Sequence, residues 1–162
     1  MSYYVGMKVL AIDPGFGRCG VAIIEKVNGK EKWLYSDCVE TSAKVPFCER
    51  LVSVVDECAR LIQKHSPDAV ALERLFVTKN QKTAMNVAEV RGALIYIAEK
   101  AGIPVFEYTP GQVKAAVTGW GSSDKSAVAH LLHALLKIDK EIERDDEYDA
   151  IGIGVTHLAC VR

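Results

Sequence analysis

Four acidic residues stand where their type and spacing could do chemistry: Asp13, Glu73, Asp146 and Asp149. Asp13 follows a short apolar run, Met7 to Ile12, and Glu73 follows another, Asp68 to Leu72. Asp146 and Asp149 lie three apart at the start of a helical pattern, which puts both carboxylates on one face. If the two apolar runs are adjacent parallel strands, Asp13 and Glu73 come to the same end of one sheet. Such a set offers hard oxygen ligands suited to Mg²⁺ or Mn²⁺. Two such ions about 3.5–4 Å apart activate water and stabilise the leaving oxygen in phosphodiester hydrolysis. Taken singly, each acid has another use. Asp13 could shape the Asp-Pro-Gly turn, Glu73 could be a solvated strand end, and Asp145, Asp146 and Asp149 could serve a helix N-terminus.

The elements that must position these acids can be read in order. Met7 to Ile12, stopped by Asp13-Pro14-Gly15, pairs as a hairpin with Gly20 to Ile24, and Asn28-Gly29 turns the chain into a third strand at Trp33 to Val39. From Phe47 the apolar period becomes helical as far as His65, where Ser66-Pro67 stops it. A strand from Asp68 to Leu72 leads to a long helix from about Asn80 to Lys100, and Ile103 to Tyr108 forms a fifth strand. Thr109-Pro110 opens a short helix that Gly119 ends. Ser122 or Ser123 opens the next, and a last helix runs from near Asp145 to Ala159. Three strands joined by short turns, then strands alternating with helices, describe an α/β protein with a mixed sheet flanked by helices.

Composition bounds the function classes. The chain of 162 residues is 49% hydrophobic and 25% charged, as expected of a soluble globular protein, and no apolar run has the roughly 18 residues of a membrane span. We expect one domain, residues 7–160, preceded by an extension at 1–6, and a cytoplasmic protein without a signal peptide. Five cysteines with no C-x-x-C pair read as reduced, mostly buried thiols rather than a zinc site. The net charge of −1 argues against a generic nucleic-acid binder, but its distribution does not: residues 74–91 and 110–137 are basic by 3 and 2 charges, and residues 139–149 are acidic by 5.

The chain carries an ordered set of short segments: Ile12-Asp13-Pro14-Gly15 with Gly20, Pro67-Asp68, Ala71-Leu72-Glu73-Arg74-Leu75-Phe76, Lys79-Asn80 and Arg91-Gly92. Further on come Pro104 to Tyr108, Gln112-Val113-Lys114, Gly119 with Gly121-Ser122 and Lys125, and Asp146 through Asp149-Ala150 to Thr156-His157. With these segments the chain resembles, from Met7 to Leu158, the RuvC family of Holliday-junction resolvases. Ala127 departs from the pattern, where a longer polar residue commonly follows the lysine. The resemblance implies a ribonuclease H-like fold and an endonuclease that nicks four-way junction DNA at two symmetry-related strands. It further implies that Asp13, Glu73, Asp146 and Asp149 hold two Mg²⁺ ions, with Mn²⁺ able to substitute, and that Lys114, Lys125 and Lys79 contact DNA. Phe76 would insert at the junction, the enzyme would be a homodimer built on the 80–100 helix, and branch-migration motor proteins would be its partners.

Other readings of these residues stay open. Phe76 by type alone is a core residue, and a single lysine is usually a solvated charge. His157 reads as packed or superficial and is left out of the catalytic set. Asp13 with Gly15, Gly17 and Gly20 also resembles the phosphate loop of actin-like ATPases and sugar kinases, which need two such domains. A junction-binding module without chemistry and another nuclease of the same fold, acting on RNA–DNA hybrids or linear ends, are the remaining alternatives.

Overall fold

The computed structural model describes residues 6–75 and 81–161. Its elements follow the order β1 (Met7–Asp13), β2 (Arg18–Val27), β3 (Lys30–Glu40), α1 (Phe47–His65), β4 (Ala69–Glu73), α2 (Gln81–Lys100), β5 (Val105–Tyr108), α3 (Pro110–Thr118), α4 (Lys125–Leu136) and α5 (Asp145–Cys160). The five strands form one mixed sheet in the order β3-β2-β1-β4-β5. β1 to β3 are antiparallel neighbours, whereas β4 runs parallel to β1 and β5 parallel to β4. Asn28 and Gly29 both take positive φ, the geometry a tight hairpin needs.

The sheet is covered on both sides, so the central strands are apolar at successive positions rather than alternating. Leu10, Ile12, Val21, Ile23, Val70 and Leu72 pack with Val54, Cys58 and Leu61 of α1 and Val90, Leu94 and Ala98 of α2. The opposite face carries smaller residues, Ala11, Ala22, Ala69 and Ala71, and packs against α5. Small side chains there let α5 lie close to the sheet, and α3 and α4 cover its far side with Val113, Leu132 and Leu136. Every residue of α5 from Ala150 to Leu158 is buried. A helix buried all round is a rigid base for whatever its first turn carries.

Several boundaries differ from the sequence reading for identifiable reasons. Asp68 stays outside β4 and accepts the Lys8 amide on its side chain at 2.8 Å. Ile103 closes α2 instead of opening β5, its N–H reaching the Ala98 carbonyl at 3.0 Å. Asp124 caps α4, not Ser122 or Ser123, accepting from the Ala127 amide at 2.8 Å, because the Ser123 hydroxyl is engaged by Thr118 and Trp120. Of the five thiols only Cys19 and Cys58 are buried, and Cys48 and Cys160 are exposed. Among the described residues no helix is long and apolar enough to cross a membrane.

Candidate functional site

Asp13 and Glu73 are the last residues of two neighbouring parallel strands whose register pairs Ile12 with Leu72. Side by side, they end at one edge of the sheet. The start of α5 reaches the same edge because β2 has a glycine, Gly20, opposite Asp13, where the backbone of Asp146 packs onto the strand. Asp146 and Asp149 thereby join the two strand-end acids, as their spacing requires of one helix face.

The electrostatics register that crowding. Burial raises the Asp13 carboxyl from 3.8 to about 9, helped by the charges of Glu73, Asp149 and Asp146 and by a hydrogen bond with Glu73. Glu73 is raised by burial and by Asp149 and Asp146, against the opposing effects of its bond to Asp13 and of Lys125. Burial likewise raises Asp149, with Lys125 opposing. The Lys125 ammonium lies 3.3 Å from Asp149 and 3.8 Å from Asp145, and Arg18 lies 3.7 Å from Asp146. Burial would lower Lys125, yet Asp149, Asp145 and Asp13 together raise it.

Among the described residues no three His, Cys, Asp or Glu side chains close on one point as a ready-made coordination shell. The donor chemistry nevertheless fits a divalent cation of the Mg²⁺ type. All four groups are carboxylates, they repel one another when ionised, and a side-chain ammonium already sits among them in a cation's electrostatic role.

Two openings flank the acids. A cleft of about 430 Å³ is lined by Glu73, Asp149, Lys114 and Lys125, with Pro110, Val113 and Tyr148 as its apolar wall. On the other side, Asp146 borders a shallower groove with Arg18, Arg50, Arg144 and Thr41. Both openings therefore set cationic side chains beside the carboxylates, Lys114 and Lys125 in one and Arg18, Arg50 and Arg144 in the other.

Lys125 is the first residue of α4, and Lys114 sits one turn into α3. Phe76 and Lys79 lie outside the described residues. His157 is fully buried, its Nδ1 2.9 Å from the Tyr108 hydroxyl and its ring against Phe106, and burial pushes its pKa below the ordinary imidazole value. It lies about 12 Å along the helix from Asp149, in the core and away from the acids.

Glu147 was not singled out by sequence. It is buried, accepts from Ser36 at 2.6 Å and pairs with Lys140 at 2.7 Å, and so anchors the first turn of α5. A signal existed, because Glu147 continues the buried helical stripe of Ile151, Gly154 and Leu158.

A family model described as "Crossover junction endodeoxyribonuclease RuvC" matches residues 9–157. A protein of that name from Brevibacillus brevis is 37% identical over 151 residues, covering 93% of this chain and 91% of its own. Another from Thermosipho melanesiensis is 38% identical over 147 residues, covering 91% and 94%. Among solved structures, the chain is similar to Thermus thermophilus RuvC in complex with Holliday junction substrate, with a TM-score of 0.87, 31% identity, and 94% and 93% of the two chains covered.

Proposed function

The chain belongs to the RuvC family of crossover junction endodeoxyribonucleases, and from that premise we propose that it resolves four-way DNA junctions by paired symmetric nicks, using divalent metal held by Asp13, Glu73, Asp146 and Asp149. Its mixed five-stranded sheet has the ribonuclease H-like fold expected from the sequence. The observation that carries the reading is the gathering of half-buried Asp13 with three other carboxylates at one sheet edge. Such a cluster is unfavourable unless protons or cations neutralise it, and its oxygen donors select hard cations, Mg²⁺ with Mn²⁺ as substitute, two per site. When bound, these ions supply a Lewis acid for the phosphate and a nucleophile at neutral pH.

The chain's own groups bind and orient the strand. Lys114 and Lys125 line the cleft and can pair with phosphate oxygens on either side of the scissile bond. Lys125 faces both the acids and the cleft, so it can exchange a carboxylate partner for a phosphate. The acids hold their positions because strand ends and a buried helix carry them, which keeps the cleavage point fixed relative to the lysines. Phe76, two residues beyond the Arg74 that follows β4, is assigned to insertion at the junction, with Lys79 as a nearby phosphate contact.

Two symmetric nicks call for two sites related by a two-fold axis. The outer face of α2 supports a homodimer, since Met85 and Tyr96 are 65% and 61% exposed there with Ala88 and Gly92 between them. We assign residues 7–160 to one nuclease domain, the cytoplasm as its compartment, and branch-migration motor proteins as its partners.

The test is incubation with a labelled, immobile four-way junction and Mg²⁺, beside linear duplex and RNA–DNA hybrid controls. Paired nicks confined to the junction and abolished by chelation are expected. Preference for the hybrid, or an uncut junction, overturns the proposal.

A further inference from the structure

Trp120 is 74% exposed, more than any other large hydrophobic residue among those described. It sits in the short connection between α3 and α4, and its backbone is held with unusual thoroughness. The Trp120 amide donates to the Thr118 hydroxyl at 3.0 Å, and its carbonyl accepts from the Ser123 hydroxyl at 3.0 Å and the Ser123 amide at 3.2 Å, with the Thr118 hydroxyl oxygen also 3.0 Å away. The two hydroxyls lie 2.6 Å apart, and Thr118 also reaches the Lys114 carbonyl at 2.8 Å. Asp124 then caps α4, and Lys125 follows at once. The loop's hydrogen bonds therefore fix the backbone that carries an indole left largely exposed.

The loop that carries the ring packs beside the start of α3: a Cβ at Gly121 would stand 3.5 Å from the Gly111 carbonyl oxygen, next to Pro110 of the cleft wall. Lys114, one turn before the loop, and Lys125, its immediate successor, both line the cleft beside Glu73 and Asp149. An exposed aromatic on a loop flanked in the chain by two cleft-lining cations is an arrangement suited to unstacked nucleic acid. The lysines track phosphates, and the ring takes the π-face of a base. A strand drawn into the cleft for cutting must leave its stack near the scissile phosphate, and Trp120 offers a replacement surface.

We infer that Trp120 is a stacking platform for a nucleobase of the junction strand entering the cleft between Lys114 and Lys125, an assignment that rests on the proposed junction-cleaving function. Stacking of this kind is sequence-tolerant, so the residue sets strand position rather than base preference.

The chain's two tryptophans make the test direct, because Trp33 is half-buried with its indole N–H on Ser36 at 2.9 Å. The full chain is titrated with an immobile four-way junction in chelator, following tryptophan emission and affinity for wild type, Trp120→Phe and Trp120→Ala, with melting temperatures for all three. Quenching on binding is expected for wild type and lost in both variants. Affinity should fall about 5- to 100-fold in Trp120→Ala and only a few-fold in Trp120→Phe, at unchanged melting temperature. Unchanged emission of wild type on binding overturns the inference, as does wild-type affinity of Trp120→Ala. If Trp120→Ala melts early, the emission change and Trp120→Phe decide. A loss of dimer in Trp120→Ala with affinity per protomer retained overturns it in favour of a protein contact. Failure of the wild-type chain to bind the junction at all overturns the proposed function and this inference together.

Discussion

Gly20 lies directly beneath Asp146: a Cβ at position 20 would stand 1.8 Å from the Asp146 carbonyl oxygen and 2.4 Å from its carbonyl carbon. Because Gly20 also pairs with Asp13 across the β1–β2 ladder, this contact sets the height of one carboxylate against another through backbone alone. Neither backbone can yield cheaply, since β2 is a central strand and α5 is buried along most of its length. Gly20→Ala must therefore displace the first turn of α5. We expect cleavage to fall by about 100-fold or more, since a misplacement of about 1 Å is enough for that, while junction affinity changes little. Single-turnover rates beside binding measurements check this, and a wild-type rate would show that Asp146 need not sit where Gly20 allows it.

The carboxylates themselves give the sharpest test of the site. Asp13→Asn, Glu73→Gln, Asp146→Asn and Asp149→Asn should each abolish metal-dependent cleavage. Junction binding should persist, because affinity comes mainly from cationic contacts to phosphate. Cleavage at the wild-type rate in any one variant removes that residue from the proposed ligand set.

The same cluster destabilises the protein when metal is withheld. The raised Asp13 value means that the folded state holds its proton more tightly than the unfolded state, so stabilisation is complete below 3.8 and is lost as pH climbs towards about 9. In chelator, the melting temperature should fall as pH rises through this window. Asp13→Asn should melt above wild type by several degrees at mildly alkaline pH, at about 2–4 °C per kcal/mol for a chain of this size. Added Mg²⁺ should narrow the gap by stabilising wild type more. Calorimetric scans in chelator and in Mg²⁺ measure both effects, and a metal-free variant less stable than wild type contradicts the account.

The strand-end acids were legible because each follows an apolar run at a turn, and the helix pair because three residues make nearly one helical turn. The parallel pairing of β1 with β4, which brings the two sets together, followed from the crossover helix between them. What sequence did not disclose depends on competition between partners. Asp124 rather than Ser123 caps α4 because Ser123 is already committed to the loop that holds Trp120, a choice that local propensity cannot make. Glu147 was one acid among seven in residues 139–149, and only the fold showed it turned inward. Arg18 went unweighed because its worth lies in Asp146, 128 residues away in sequence but 3.7 Å away in space.

The dimer assignment turns on Gly92. A Cβ there meets nothing within 4 Å in the protomer, so a longer side chain is tolerated by the fold itself. Within a close helix–helix interface it is not. Gly92→Glu should keep or slightly raise the protomer's thermal stability, since glycine is about 1 kcal/mol less favourable than alanine inside a helix. Sedimentation should change from dimer to monomer, and paired nicking should give way to single nicks. A Gly92→Glu chain that remains dimeric moves the interface away from α2.

The last prediction concerns the clamp behind Asp146. Lys140 pairs with Glu147 at 2.7 Å and donates to the Ser36 carbonyl at 2.9 Å, while the Ser36 hydroxyl, itself held by Trp33, donates to Glu147 at 2.6 Å. The Glu147 side chain is 5% exposed and that of Lys140 is 35% exposed, so removal of either partner has unequal consequences. Lys140→Met leaves a carboxylate buried with one neutral donor, and breaking a buried pair in this way is costly. Partial solvation at the Lys140 end limits the loss to about 2 kcal/mol, or about 4–8 °C. Glu147→Gln keeps the Ser36 bond and leaves the ammonium near water, so it should cost less. The double variant should be more stable than the sum of the singles implies, which a double-mutant cycle measures. Because Glu147 adjoins Asp146 in the first turn of α5, Lys140→Met should also raise the Mg²⁺ concentration for half-maximal cleavage while leaving junction affinity intact. Equal melting temperatures for Lys140→Met and wild type would show that Glu147 does not depend on its ammonium partner, and the clamp would then play no part in holding Asp146.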